Sequence, residues 1–142
     1  MRFNSGALLI LGFRIFFICL FFQALPLNAQ QQTWPDEDQC RNQVAANEST
    51  EGWCIAIDRR RGNCIACHTF NISPWPQNLP VAGNIAPPMV AMRGRFPDES
   101  RLRMIIEDPT VFDSNTTMPP YLKHGILSKE EVDVLLDFLL GI

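Results

Sequence analysis

The sequence predicts an all-α domain, three or so short helices behind an extended N-terminal arm. Three observations carry that expectation. Segments near 53–60, 97–107 and 128–140 place apolar residues at helical spacing between recognisable caps, and β structure is expected to be minimal. A single pentapeptide, Cys64-Ile65-Ala66-Cys67-His68, supplies chemistry round which such short helices can close.

Two thiols three residues apart can reach the two vinyl groups of one porphyrin while the next residue turns its imidazole onto the iron. Cys64, Cys67 and His68 are therefore read as the attachment site of one covalently bound haem c, with His68 an iron ligand. A Cys-x-x-Cys alone would serve equally as a redox dithiol, half a zinc site or a disulfide. The histidine, an exported chain and a second ligand downstream favour haem, and zinc lacks two further well-spaced ligands.

Residues 1–29 read as a cleavable signal peptide. Arg2 and Arg14 flank or interrupt an apolar run from Ala7 to Leu25, and Ala29 is a small residue at a plausible cleavage position. Arg14 cuts the run into pieces shorter than the ~20 residues a spanning helix needs, so the mature protein is expected in the periplasm without a membrane span. Cys19 leaves with the signal. The remainder has ten basic residues against fifteen acidic, a net charge of −5, which argues against nucleic acid as a partner.

Residues 30–50 are polar and read as an arm held only by Cys40. Once Cys64 and Cys67 are used, Cys40 and Cys54 remain, and in an oxidising compartment a disulfide is the simplest outcome; two unrelated buried thiols are the alternative. The domain itself is placed at 51–142. Trp53, Ala56, Ile57 and Arg60 share one helical face, Gly62 stops that helix, and Arg59 to Arg61 fall in its last turn, where they suit either the negative end of the dipole or a docking patch beside the haem edge. Five prolines between 71 and 88 then forbid regular structure. Such a long loop is expected to cover a ligand, with Trp75, Leu79, Val81, Ile85 and Met89 against it and one carbonyl accepting the His68 N–H.

A second helix is expected over 97–107, with Leu102, Ile105 and Ile106 on one face and Asp108-Pro109 closing it. The last helix is the best marked. It has a capping box of Ser128 and Glu131, a staple of Leu127 and Val132, a stripe of Val132, Leu135, Leu136 and Leu139, and Gly141 as terminator. This stripe is expected to lie across the Trp53 helix.

Met118 is assigned as the second iron ligand, because Pro119 and Pro120 hold an extended segment that presents a thioether without a flexible tether. Met104, and with it Met89 and Met92, is read as core packing; His124 is the rival ligand. A thioether favours ferrous iron and raises the potential, which suits electron transfer.

Five stretches then occur in a telling order: Arg61-Gly62-Asn63-Cys64-Ile65-Ala66-Cys67-His68, Gly83-Asn84-Ile85-Ala86-Pro87-Pro88-Met89, Arg95-Phe96-Pro97, Thr117-Met118-Pro119-Pro120-Tyr121 and His124-Gly125-Ile126-Leu127-Ser128. From about residue 55 onward the chain resembles the SoxX family, the small monohaem subunit of the SoxAX cytochrome of bacterial thiosulfate oxidation. Ala86 departs mildly, standing where glycine is common. The resemblance implies the class I cytochrome c fold, covalent attachment through Cys64 and Cys67, and axial ligation by His68 and Met118. It implies a SoxA-like partner, transient contact with a SoxYZ-like carrier, and a downstream cytochrome as acceptor. Such a complex couples thiosulfate oxidatively to a carrier cysteine, as an L-cysteine S-thiosulfotransferase. The sulfur chemistry belongs to a haem on SoxA, so this chain would pass electrons and not catalyse alone.

Two other readings remain open at the level of sequence. An independent soluble cytochrome c shuttle would carry a charged rim round the haem edge, and a haem sensor would leave one iron position open. An obligate subunit would instead expose an apolar patch.

Overall fold

The computed structural model describes residues 33–42 and 47–142 of the 142-residue chain. The signal peptide expected over 1–29 lies outside them. Thr33–Ile142 forms one compact unit whose described residues carry five α-helices, two 3-10 turns and one isolated bridge, Phe70 to Met89, with no strand. No helix among the described residues is long and apolar enough to cross a membrane.

The segment expected to be an extended arm is partly helical. In α1, Glu37–Arg41, Asp36 accepts from the Gln39 N–H and the Gln39 side chain accepts from the Asp36 N–H, both at 2.9 Å. This reciprocal cap, with Gln in the Glu position, starts a helix inside a polar stretch. Nor is Cys40 the only anchor. Trp34 packs edge-on against Trp53 and Phe138, Pro35 O accepts the Trp53 indole N–H at 2.8 Å, and Asn78 donates to Asp36 at 2.8 Å. One half-buried indole outweighs the polar composition round it. The Cys40–Cys54 disulfide is formed, with Cα atoms 5.4 Å apart, and ties α1 to the next helix.

Helix α2, Glu48–Ile57, begins earlier than the apolar spacing suggests, because Asn47 caps it by accepting from the Thr50 N–H at 2.9 Å. It also ends earlier. Asp58 takes the Arg60 N–H at 2.9 Å and so competes with the helical hydrogen bonds, which leaves Arg59 to Arg61 beyond the helix. Arg61 reaches Asp58 at 3.0 Å and Glu131 at 2.7 Å; its partners are carboxylates and not the α2 dipole. From Gly52 to Ile57 every residue is buried.

After the 3-10 turn Cys64–Ala66 and the proline-rich loop come α3, Met92–Arg95, and α4, Glu99–Glu107. Helix α4 starts two residues after Pro97, once Asp98 has accepted from the Ser100 N–H at 3.1 Å, and Asp108 ends it. A second 3-10 turn spans Pro109–Val111. Helix α5, Lys129–Leu140, has the expected capping box, with the Glu131 N–H donating to Ser128 at 3.2 Å and the Ser128 N–H donating to Glu131 at 2.8 Å, and Gly141 follows.

Helices α2 and α5 form the main packing contact, as expected from the stripe. The crossing depends on Gly52, where an added Cβ would sit 2.4 Å from Phe138 Cβ and 2.6 Å from the Val134 carbonyl. The stripe is wider than expected: Phe138 and Leu140 are buried with Val132, Leu135, Leu136 and Leu139. Trp53 is the hub of an aromatic cluster, with Trp34, Phe70, Trp75 and Phe138 at centroid distances of 5.8, 5.8, 5.7 and 6.0 Å.

Candidate haem-binding site

The Cys-x-x-Cys-His turn is held from both sides. Upstream, Arg61 bonds Asp58 and Glu131, and Glu131 also caps α5, so one carboxylate joins the last helix to the segment entering the turn. Asn63 adopts a left-handed conformation (φ 45°), which asparagine tolerates better than most residues, and directs the chain into Cys64. Downstream, the loop folds back. The Gly83 N–H donates to Ile65 O at 2.8 Å, Ala86 N–H to Cys67 O at 3.1 Å, and Met89 N–H to Thr69 O at 2.8 Å. Gly83 is required here, since a Cβ would lie 2.1 Å from the Ala66 carbonyl oxygen.

This strap brings the Pro87 carbonyl to 2.7 Å from His68 Nδ1. A carbonyl can only accept, so Nδ1 carries the proton and Nε2 is the nitrogen left with a lone pair. The hydrogen bond fixes the orientation of the ring.

Cys64 and His68 line an apolar cleft with about 750 Å³ of empty space, part of it open to solvent. Its walls come from Met89 and Met92, from Leu102, Ile105 and Ile106 of α4, and from Leu135 and Leu139 of α5. Met118 lines the same cleft. A smaller adjoining cleft is lined by Cys64, Cys67, His68 and Met118 again, together with Ile85 and Pro119. All four side chains singled out from the sequence therefore converge. His124 is exposed and lines neither cleft.

Other expectations are corrected. Val81, placed against the ligand from its hydrophobicity, is 94% exposed and lines neither cleft, whereas Ile85 stands at the smaller cleft as expected. Trp75 joins the Trp53 cluster, and neither it nor Leu79 lines either cleft; of the five residues proposed to cover the ligand, Met89 lines the main cleft and Ile85 the smaller one. Met104, expected in the core, is 43% exposed, since Leu102 and Ile106 take the inner face of α4.

Two residues with roles here went unassigned in the sequence. Tyr121, buried, donates its hydroxyl to Gly62 O at 2.7 Å and so ties the Met118 segment to the Cys64 turn. Nothing in a lone tyrosine signals a partner 59 positions away. Arg95 lines the cleft and donates to Pro88 O, leaving a guanidinium at the edge of an otherwise apolar space.

The donor set fits a porphyrin. A redox dithiol lowers the pKa of its attacking cysteine, whereas desolvation pushes the Cys64 thiol up to about 12. Among the described residues no group of three or more His, Cys, Asp or Glu side chains is placed to hold a bare metal ion. An apolar cleft with one thiol, one oriented imidazole and one thioether at its wall, and a second thiol in the cleft adjoining it, suits a large flat apolar cofactor carrying a central metal.

Fold and site together define an all-helical domain closed round a cofactor-sized apolar cleft, with a Cys-x-x-Cys-His turn in its wall. No protein-family model matches the chain. No curated protein matches it by sequence. Among solved structures it is similar to a chain in the crystal structure of SoxXA from P. pantotrophus, with a TM-score of 0.54 and 26% identity, covering 63% of this chain and 77% of that one. The all-helical architecture expected from the sequence is thus shared with a solved SoxXA structure.

Proposed function

We propose that this chain binds one haem c through Cys64 and Cys67, with His68 and Met118 as axial ligands, and acts as the electron-transfer subunit of a SoxAX-like complex. The observation that carries this reading is the convergence of two thiols, a hydrogen-bonded imidazole and a thioether on two adjoining clefts, the larger of them apolar. Haem bound there supplies reversible one-electron chemistry. The chain does the rest. Its α4 and α5 side chains exclude water, Pro87 O holds the His68 ring, and the neutral Met118 sulfur favours the reduced state. Arg95 offers a cation to a propionate at the cleft edge.

In the complex a SoxA-like subunit would couple thiosulfate to a cysteine of a SoxYZ-like carrier, forming the sulfur–sulfur bond and releasing two electrons. This chain would relay them to a downstream cytochrome. The likeness to SoxXA supports that setting, and the Cys40–Cys54 disulfide supports an oxidising compartment, taken as the periplasm after removal of 1–29.

The test is export of the full chain in a host able to attach haem c. Haem that stays with the denatured polypeptide is expected, and Met118→Ala should lose the long-wavelength charge-transfer band of thioether-ligated ferric haem and lower the reduction potential. A folded but colourless protein would overturn the reading.

A further inference from the structure

Three Asn-x-Ser/Thr triplets occur in the chain, Asn47-Glu48-Ser49, Asn71-Ile72-Ser73 and Asn115-Thr116-Thr117. In an exported protein this is the acceptor pattern for oligosaccharide transfer to an asparagine carboxamide, the hydroxyl two positions on being read by the transferase. The pattern alone is common, and local structure decides which copy an enzyme can grip. Asn47 commits its carboxamide oxygen to the Thr50 N–H and hydroxyl, both at 2.9 Å, as the cap of α2, and Ser49 lies inside that helix. Asn71 is held by its backbone, its N–H donating to Met89 O at 3.0 Å, and Pro74 follows Ser73 directly and restricts it.

Asn115 escapes both constraints. It is exposed in the turn between Pro109–Val111 and the Met118 segment, where its backbone N–H donates to Asp113 at 2.9 Å while its carboxamide has no partner among the described residues. Thr117 is exposed with its hydroxyl likewise unpartnered, whereas Thr116 commits its own to the Met118 N–H at 3.2 Å. Two positions before the asparagine, exposed Asp113 offers the incoming enzyme a charge to pair with. Asn115 lines neither cleft, so a sugar added there leaves the cofactor space open.

Resting on the export proposed above and not on the haem, we propose that Asn115 is an N-glycosylation site, modified on the folded chain by a transferase that uses a polyprenyl-pyrophosphate-linked oligosaccharide. The Asn115 Nδ2 forms a bond to C1 of the first sugar, the bond from C1 to the pyrophosphate oxygen breaks, and the lipid pyrophosphate leaves with that electron pair. The amide proton passes to a base on the transferase, and nothing is oxidised or reduced.

The test isolates the exported full chain from the cell that makes it and reads its intact mass and tandem mass spectra. The wild type should exceed the mass of the haem-bearing chain by one oligosaccharide, located on Asn115, with Asn47 and Asn71 bare. Asn115→Gln should lose that increment completely while keeping the wild-type haem spectrum and Tm, which separates loss of the acceptor from failure to fold. Because Thr117 also lines the smaller cleft, its two variants are read against each other: Thr117→Val should lose the sugar and Thr117→Ser should keep it. A wild-type mass equal to that of the haem-bearing chain overturns the proposal and leaves the electron-carrier reading standing. A sugar found on Asn47 or Asn71 in place of Asn115, or one that persists in Asn115→Gln, overturns it as well. A chain kept inside the cell with Cys40 and Cys54 as thiols removes the export reading and the proposal with it.

Discussion

Replacing Tyr121 by phenylalanine removes one oxygen and leaves the ring in place, so it isolates the link between the Met118 segment and the Cys64 turn. The hydroxyl donates to Gly62 O at 2.7 Å, and Tyr121 is 6% exposed. The variant loses the net value of that hydrogen bond and strands a carbonyl on a buried glycine, together about 1–3 kcal/mol. For a unit of this size, 2 kcal/mol corresponds to a fall of roughly 8 °C in Tm. Thermal unfolding of the oxidised protein followed by circular dichroism measures it, with urea titration as a check that the midpoint moves and the slope does not. Because Met118 is three residues from Tyr121, weakening of the thioether band should appear well below the unfolding transition. A Tm within about 2 °C of wild type, with that band intact up to global unfolding, would refute the idea that this hydroxyl joins the two segments.

Gly52→Ala should destabilise by about 1–3 kcal/mol or more, since its Cβ meets Phe138 Cβ at 2.4 Å and α2 must lift from α5; a chemical-denaturation midpoint equal to wild type counts against that crossing. Cys40→Ser with Cys54→Ser should lose about 3 kcal/mol, measured the same way with and without reductant on the wild type as control. Asp36 has its carboxyl held below the ordinary 3.8 by hydrogen bonds from the Gln39 N–H and the Asn78 side chain. Its folded pKa lies below its unfolded one, so its contribution is complete above pH 3.8 and disappears as pH falls through the folded value. Asp36→Asn should therefore flatten the dependence of stability on pH below about 4 and leave its slope near neutrality unchanged, which denaturation at a series of pH values reads directly.

The parts of the fold legible in the sequence were those whose signals are local. The Ser128 and Glu131 box and the Val132 to Leu139 stripe involve neighbours three or four residues apart, and α5 forms where they place it. Convergence of Cys64, Cys67, His68 and Met118 on shared clefts was also anticipated from spacing and from Pro119-Pro120. The failures involve competition between local and distant partners. Asp58 ended α2 early by taking a backbone N–H, and Trp34 held down a polar arm by reaching Trp53 and Phe138. Hydrophobicity alone put Val81 against the ligand, although a strap bonded through its backbone has no need to bury every apolar side chain. Tyr121 was out of reach for the same reason, its acceptor lying 59 residues upstream.

The backbone strap has one further consequence. A centre that gains and loses an electron quickly must keep nearly the same geometry in both redox states, because every bond that relaxes adds to the reorganisation barrier. His68 is gripped by Pro87 O at its ring, while the residues on either side of it bond through their carbonyls to Ala86 and Met89. Rotation of that imidazole would require peeling the strap from the turn as a unit, so in the proposed electron carrier oxidation and reduction would leave the chain with little to rearrange.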